Sequence, residues 1–93
     1  MADDPDDAIT RVPIEYELDL HAFAPRDIAS VVDEFIRAAW SAGLRDLRLV
    51  HGRGRGVQRA TVHRLLAQHP LVVHFRDDPA AHLGATLVEL NRP

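Results

Sequence analysis

The sequence predicts an α/β fold of the α+β two-layer sandwich kind: β-α-β-α-β-β, a four-stranded mixed sheet, both helices on one face. Three observations predict it. Segments of strand period and helix period alternate along the chain. The first strand alternates apolar and polar residues, whereas a parallel strand covered on both faces would be continuously apolar, so one sheet face is open. Strand–helix–strand crossovers are right-handed, so strands one, two and three run parallel and both helices cover the same face. Strand four returns antiparallel, completing two layers around one core.

Each element follows from its residues. Ile14, Tyr16, Leu18 and Leu20 fall on one side of the first strand, and Glu15, Glu17, Asp19 and His21 on the other. The pattern breaks at Ala22 to Ala24. Pro25 suits a first helical turn, where its missing N–H would have no partner. Ile28, Val31, Val32, Phe35, Ile36 and Ala39 then make a helical apolar stripe, with Asp33 and Arg37 spaced i,i+4 on the wet side. Gly43 is the stop. A second strand runs from about Leu47 to Val50 and leads into His51-Gly52-Arg53-Gly54-Arg55-Gly56. The second helix, Val57 to about Gln68, buries Val62, Leu65 and Leu66 and ends before Pro70. Strand three covers roughly Leu71 to Arg76. After a loop, Asp77 to Gly84, strand four spans Ala85 to Leu90 with Thr86, Val88 and Leu90 on one face. Packing accounts for Tyr16 and Trp40. Glu15, Glu17, Arg48, Arg76 and Glu89 make a mixed-charge open face.

Composition bounds the function. Ninety-three residues, 46% hydrophobic and 27% charged, are one small globular domain. Residues 1–12 are expected to be an acidic disordered tail, and 13–93 the domain. No apolar run approaches the roughly 18 residues of a membrane span, and the acidic start is unlike a signal peptide. The absence of cysteine excludes disulfides, thiolate metal sites and a cysteine nucleophile, so a cytoplasmic protein is expected. The net charge of −3 conceals a basic segment: residues 45–64 carry six arginines against Asp46 alone. Such a patch attracts polyanions. Every basic residue is Arg and none is Lys, so arginine richness by itself carries little.

Topology places the chemistry. Parallel strands one and two end at the same edge, where ligands of open α/β sheets bind. Asp19 and His21 end strand one, His51 ends strand two, and the glycine turn enters the second helix. Gly52, Gly54 and Gly56 allow positive φ and close approach. Successive amides of such a turn cradle an anion, the helix adds its positive end, and Arg53, Arg55 and Arg59 add cationic forks. One or two glycines would suffice for a mere tight connection. The turn lacks the Gly-Lys-Ser/Thr of a nucleoside triphosphate loop and the spacing of a dinucleotide fingerprint. His63, His69, His74 and His82 lack zinc spacing and are read as solvated or satisfied. Phe23 is the one loop aromatic placed for base contact.

Leu18-Asp19-Leu20-His21, His51-Gly52-Arg53-Gly54-Arg55-Gly56 and Gly84-Ala85-Thr86-Leu87-Val88-Glu89-Leu90 together resemble the Smr (small MutS-related) domain family. The resemblance covers about residues 14–91 and suggests a free-standing, single-domain member. Ala22 stands where the family's first motif often has glycine. The resemblance implies a fold like the C-terminal domain of bacterial translation initiation factor three, with the fourth strand antiparallel. It also implies nucleic-acid binding, of DNA or RNA, with endonuclease activity that nicks DNA or cleaves RNA. Repair or recombination of DNA and quality control at stalled ribosomes are the settings it suggests. Asp19 and His21 carry over as cleavage residues, and His51, Gly52, Gly54 and Gly56 as the second motif.

The residue types allow a mechanism. His21 is the general base or acid, since a free imidazole titrates at about pH 6.5. Asp19 orients its ring or raises its pKa. Turn amides with Arg53 and Arg55 stabilise the charge on phosphorus. His51 supplies a second proton-transfer group or only bonds the loop. No cofactor is required. A divalent metal could sit on Asp19, but only Glu17 has ligand spacing to it and nothing demands one. The alternative is a non-catalytic nucleic-acid or ribosome-binding module, monomeric or weakly oligomeric, using the turn and its arginines alone.

Overall fold

A computed structural model describes residues 14–52 and 56–92. The acidic segment 1–12 and the turn residues Arg53, Gly54 and Arg55 lie outside them. The strands are β1 (Tyr16–Asp19), β2 (Asp46–Val50), β3 (Val72–Asp77) and β4 (Ala85–Leu90). The helices are α1 (Ile28–Ser41) and α2 (Val57–Gln68), and short 3-10 turns occupy Leu20–Ala22, Pro25–Asp27 and Pro79–Ala81. The sheet order is β1-β2-β4-β3. β1 and β2 are parallel, with Asp19 opposite Val50, and β4 runs antiparallel to both of its neighbours, β2 and β3. The expected mixed sheet is present, with the last strand of the chain at its interior.

The core lies between this sheet and the two helices. Leu47 and Leu49 of β2 and Val88 and Leu90 of β4 meet Val32, Phe35, Ile36 and Ala39 of α1 and Val62 and Leu66 of α2. The alternating positions of the sheet turn the other way. There Arg48 bridges Glu17 and Asp78, and Arg45 pairs with Glu89, as the open mixed-charge face requires.

Strand ends shift by one or two residues at β1, β2 and β3, and two boundaries differ for a local physical reason. β1 stops at Asp19, before Leu20 and His21. The Asp19 carboxylate accepts the His21 backbone N–H at 2.9 Å, which withdraws that donor from the sheet ladder and turns the chain into a 3-10 turn. The first helix is preceded by a separate turn at Pro25–Asp27, because proline suits the start of a helix and not its interior.

At the C-terminal end of α1, Gly43 is left-handed (φ 85°) and the Leu44 N–H returns to the Ala39 carbonyl. Arg92 donates to the Trp40 and Leu44 carbonyls and lies over the indole, 5.1 Å from its centroid. The Trp40 Nε1–H donates to Asn91 at 2.9 Å. The two helices are clamped at the opposite end of α2: His69 Nε2–H donates to Asp33 at 2.8 Å, and its Nδ1 accepts the Leu71 N–H.

Candidate functional site

Parallel pairing of β1 with β2 brings the ends of both strands to one edge. Asp19 Oδ1 lies 2.8 Å from His21 Nδ1. A carboxylate accepts, so Nδ1 carries a proton, and in the neutral ring Nε2 presents its lone pair. The Asp19 carboxyl is held below the usual aspartate range, first by the His21 backbone N–H and then by its ring. Both side chains are 61% exposed, so the pair is open to solvent and to a ligand. The two residues meet because the chain turns between them, not because they share a strand face.

Gly52 seats the His21 ring. Its φ is 78°, a left-handed value that favours glycine, and a Cβ placed on it would lie 2.5 Å from His21 Nε2. No side chain fits there without moving the imidazole. Ala22, by contrast, has no left-handed backbone: among described non-glycine residues only His82 and Leu83 have positive φ. Alanine in place of the motif's glycine therefore costs no backbone strain.

The N–H groups of His51 and Gly52 both donate to the Gly84 carbonyl, at 3.0 and 2.9 Å. The start of the turn is thereby pinned to the residue just before β4, and the Gly52 amide faces protein. Gly56 is also left-handed (φ 79°) and directly precedes α2. Arg59 makes a paired hydrogen bond to Asp77, Nε to Oδ1 at 2.7 Å and Nη2 to Oδ2 at 2.6 Å. That pairing raises the Arg59 pKa and lowers that of Asp77.

His51 is 3% exposed. Its Nδ1 lies 3.0 Å from the Gly52 carbonyl and its Nε2 2.9 Å from Thr86 Oγ1. His63 Nε2 reaches the same Thr86 oxygen at 2.9 Å and Asp77 Oδ1 at 3.6 Å. Burial, with Arg59 next, holds His63 below the ordinary histidine range. The sequence reading gave Thr86 and Asp77 no part in the site and read His63 as solvated or satisfied. A polar Thr86 in the inward register of Val88 and Leu90, and His63 four residues after Arg59 on α2, were the available signals.

Other features lie elsewhere. Among the described residues no three His, Asp or Glu side chains gather as a metal site, and no helix is long and apolar enough to cross a membrane. A depression of about 50 Å³ lined by Ile14, His74, Arg76 and Glu89 opens on the uncovered sheet face, away from the turn.

The fold and this edge define a class: a two-layer α+β domain that sets an aspartate–histidine pair against a glycine turn. The chain belongs to the Smr domain family, whose model matches residues 18–91. It is 34% identical over 79 residues to Endonuclease MutS2 of Caldicellulosiruptor saccharolyticus and 38% identical over 79 residues to that of Pelotomaculum thermopropionicum. Each match covers 83% of this chain and 10% of the relative, so the chain spans about a tenth of their length. It is also similar to the crystal structure of the Smr domain of Thermus thermophilus MutS2. There the TM-score is 0.78 at 32% identity, over 83% of this chain and 99% of that one. YdaL, a stand-alone small MutS-related protein from Escherichia coli, aligns with a TM-score of 0.78 at 26% identity, over 94% of this chain and 73% of that one.

Proposed function

We propose that this domain binds nucleic acid at the edge formed by β1, β2 and the glycine turn, and that it cleaves a phosphodiester there. The observation that carries the reading is the Asp19–His21 pair, whose bare Nε2 is seated against Gly52 at the head of the turn. Asp19 holds the His21 tautomer, so Nε2 is oriented to take a proton from an attacking water or ribose hydroxyl. Arg53 and Arg55 would balance charge on the phosphate. The MutS2 relatives are named endonucleases, which supports the same chemistry.

A second reading has a specific observation behind it. The His51 and Gly52 amides are committed to Gly84, and the Arg59 guanidinium to Asp77. That leaves fewer groups for transition-state charge and favours a binding module, for nucleic acid or the ribosome. The experiment is a cleavage and binding assay on labelled RNA and DNA, with and without chelator. Folded His21→Ala should lose roughly 10²–10⁴-fold in cleavage rate while affinity changes little. Cleavage at the wild-type rate in that variant removes His21 as the catalyst. Wild type that binds and never cuts either polymer selects the binding module.

A further inference from the structure

Three elements converge on one buried hydroxyl. Thr86 of β4 is fully buried, and its Oγ1 lies 2.9 Å from the Nε2 of both His51, at the end of β2, and His63 of α2. A hydroxyl has one proton to donate and two lone pairs to accept with. The Gly52 carbonyl only accepts, so His51 Nδ1 carries a proton. While His51 is neutral its Nε2 is bare, so Thr86 donates to it and His63 Nε2–H donates to Thr86. One carbonyl fixes the direction of the whole chain of bonds.

The chain has one other complete state. When His51 is protonated on both nitrogens, its Nε2–H donates to Thr86, the hydroxyl turns to His63, and His63 accepts on a bare Nε2. When both imidazoles carry a proton on Nε2, both donate to the same oxygen. The hydroxyl proton then has neither histidine as acceptor, an unfavourable state for a buried group. Among the described residues, the charged groups around the pair are Asp77 of β3 and Arg59 of α2 beside His63. Across Gly52 lie Asp19 and His21.

We propose that His51 and His63 share a single proton across Thr86. His63 is then a positioning residue through which the buried His51 becomes cationic in place, beside the glycine turn. The step balances. Starting from His63 imidazolium, the Nε2–H bond breaks as a new O–H bond forms on Thr86. The original hydroxyl proton passes to His51 Nε2. One positive charge moves from His63 to His51, and His63 is left neutral with its proton on Nδ1. Its use, stabilising an anion at the turn, rests on the proposed function; the relay itself is independent of nucleic acid.

The test is a pH titration of the imidazole nitrogen NMR signals of the intact protein without nucleic acid. In wild type, His51 and His63 should change together and take up one proton between them in a single joint step. Thr86→Val removes the bridge, so the joint titration should disappear, with His63 titrating alone and His51 staying neutral. Thr86→Ser restores the hydroxyl and should restore joint uptake. His63→Gln should abolish proton uptake by His51 and serves where the valine variant does not fold. Two independent wild-type curves, each reaching a full proton, overturn the proposal, as does joint titration that survives Thr86→Val. Loss of cleavage in His21→Ala speaks to the proposed function and leaves these curves untouched.

Discussion

Gly52→Ala separates the seat of His21 from the backbone strain of the turn. At φ 78° alanine pays the left-handed penalty, about 1–2 kcal/mol. For a domain of this size that lowers Tm by about 4–16 °C. The new methyl also lands 2.5 Å from His21 Nε2, where ordinary contact begins at 3.4 Å. The ring must therefore retreat by about 1 Å, a displacement that can cost roughly 10²-fold in rate. Gly43→Ala is the control: its φ is 85° and nothing lies within 4 Å of its added Cβ. Both variants should lose similar thermal stability. Only Gly52→Ala should shift the His21 imidazole NMR signals, loosen the Asp19 bond and reduce cleavage of labelled RNA or DNA. If Gly52→Ala leaves the His21 signals and cleavage at wild-type values, the close approach of Gly52 does not position the His21 ring for the proposed cleavage.

Replacing Arg53 and Arg55 together by alanine should reduce the slope of log affinity against log salt by about two, one for each phosphate contact removed; an unchanged slope places the polyanion surface elsewhere. Acid should loosen the helix clamp. Asp33 is held below the ordinary aspartate range, first by the His69 hydrogen bond. Its contribution to stability is therefore complete above the unfolded-state value and is lost as pH falls through the lowered folded value. Urea unfolding across that range should lose stability more steeply in wild type than in Asp33→Asn.

The fold was legible wherever one face of an element is buried. Helix α2 and strand β4 keep the bounds that periodicity assigns, because a shift of register would expose Val62 and Leu66 or Val88 and Leu90. The end of β1 was not legible. A single carboxylate-to-backbone bond from Asp19 decides it, and Leu20 remains buried whether its backbone is extended or turned. The site was legible along the chain but not across it. Motif spacing brings Asp19, His21, His51 and Gly52 to one edge. The partnership of His51 with Thr86 and His63 depends instead on how α2 settles over β4. Arg59 shows the same limit: its place after a glycine turn suggests a phosphate ligand, yet Asp77 on the neighbouring strand takes its guanidinium.

The last strand of the chain is an inner strand of the sheet, between β2 and β3. During synthesis β1, α1 and β2 can associate early as a local parallel unit, but β3 has no native partner strand until β4 emerges. Gly84, which pins the turn, and Thr86, which joins the two histidines, arrive with that same strand. A nascent chain that already carries His51 and Gly52 therefore lacks the bonds that Gly84 and Thr86 give them. A chain interrupted before β4 carries the motif residues without the Gly84 and Thr86 bonds that hold His51.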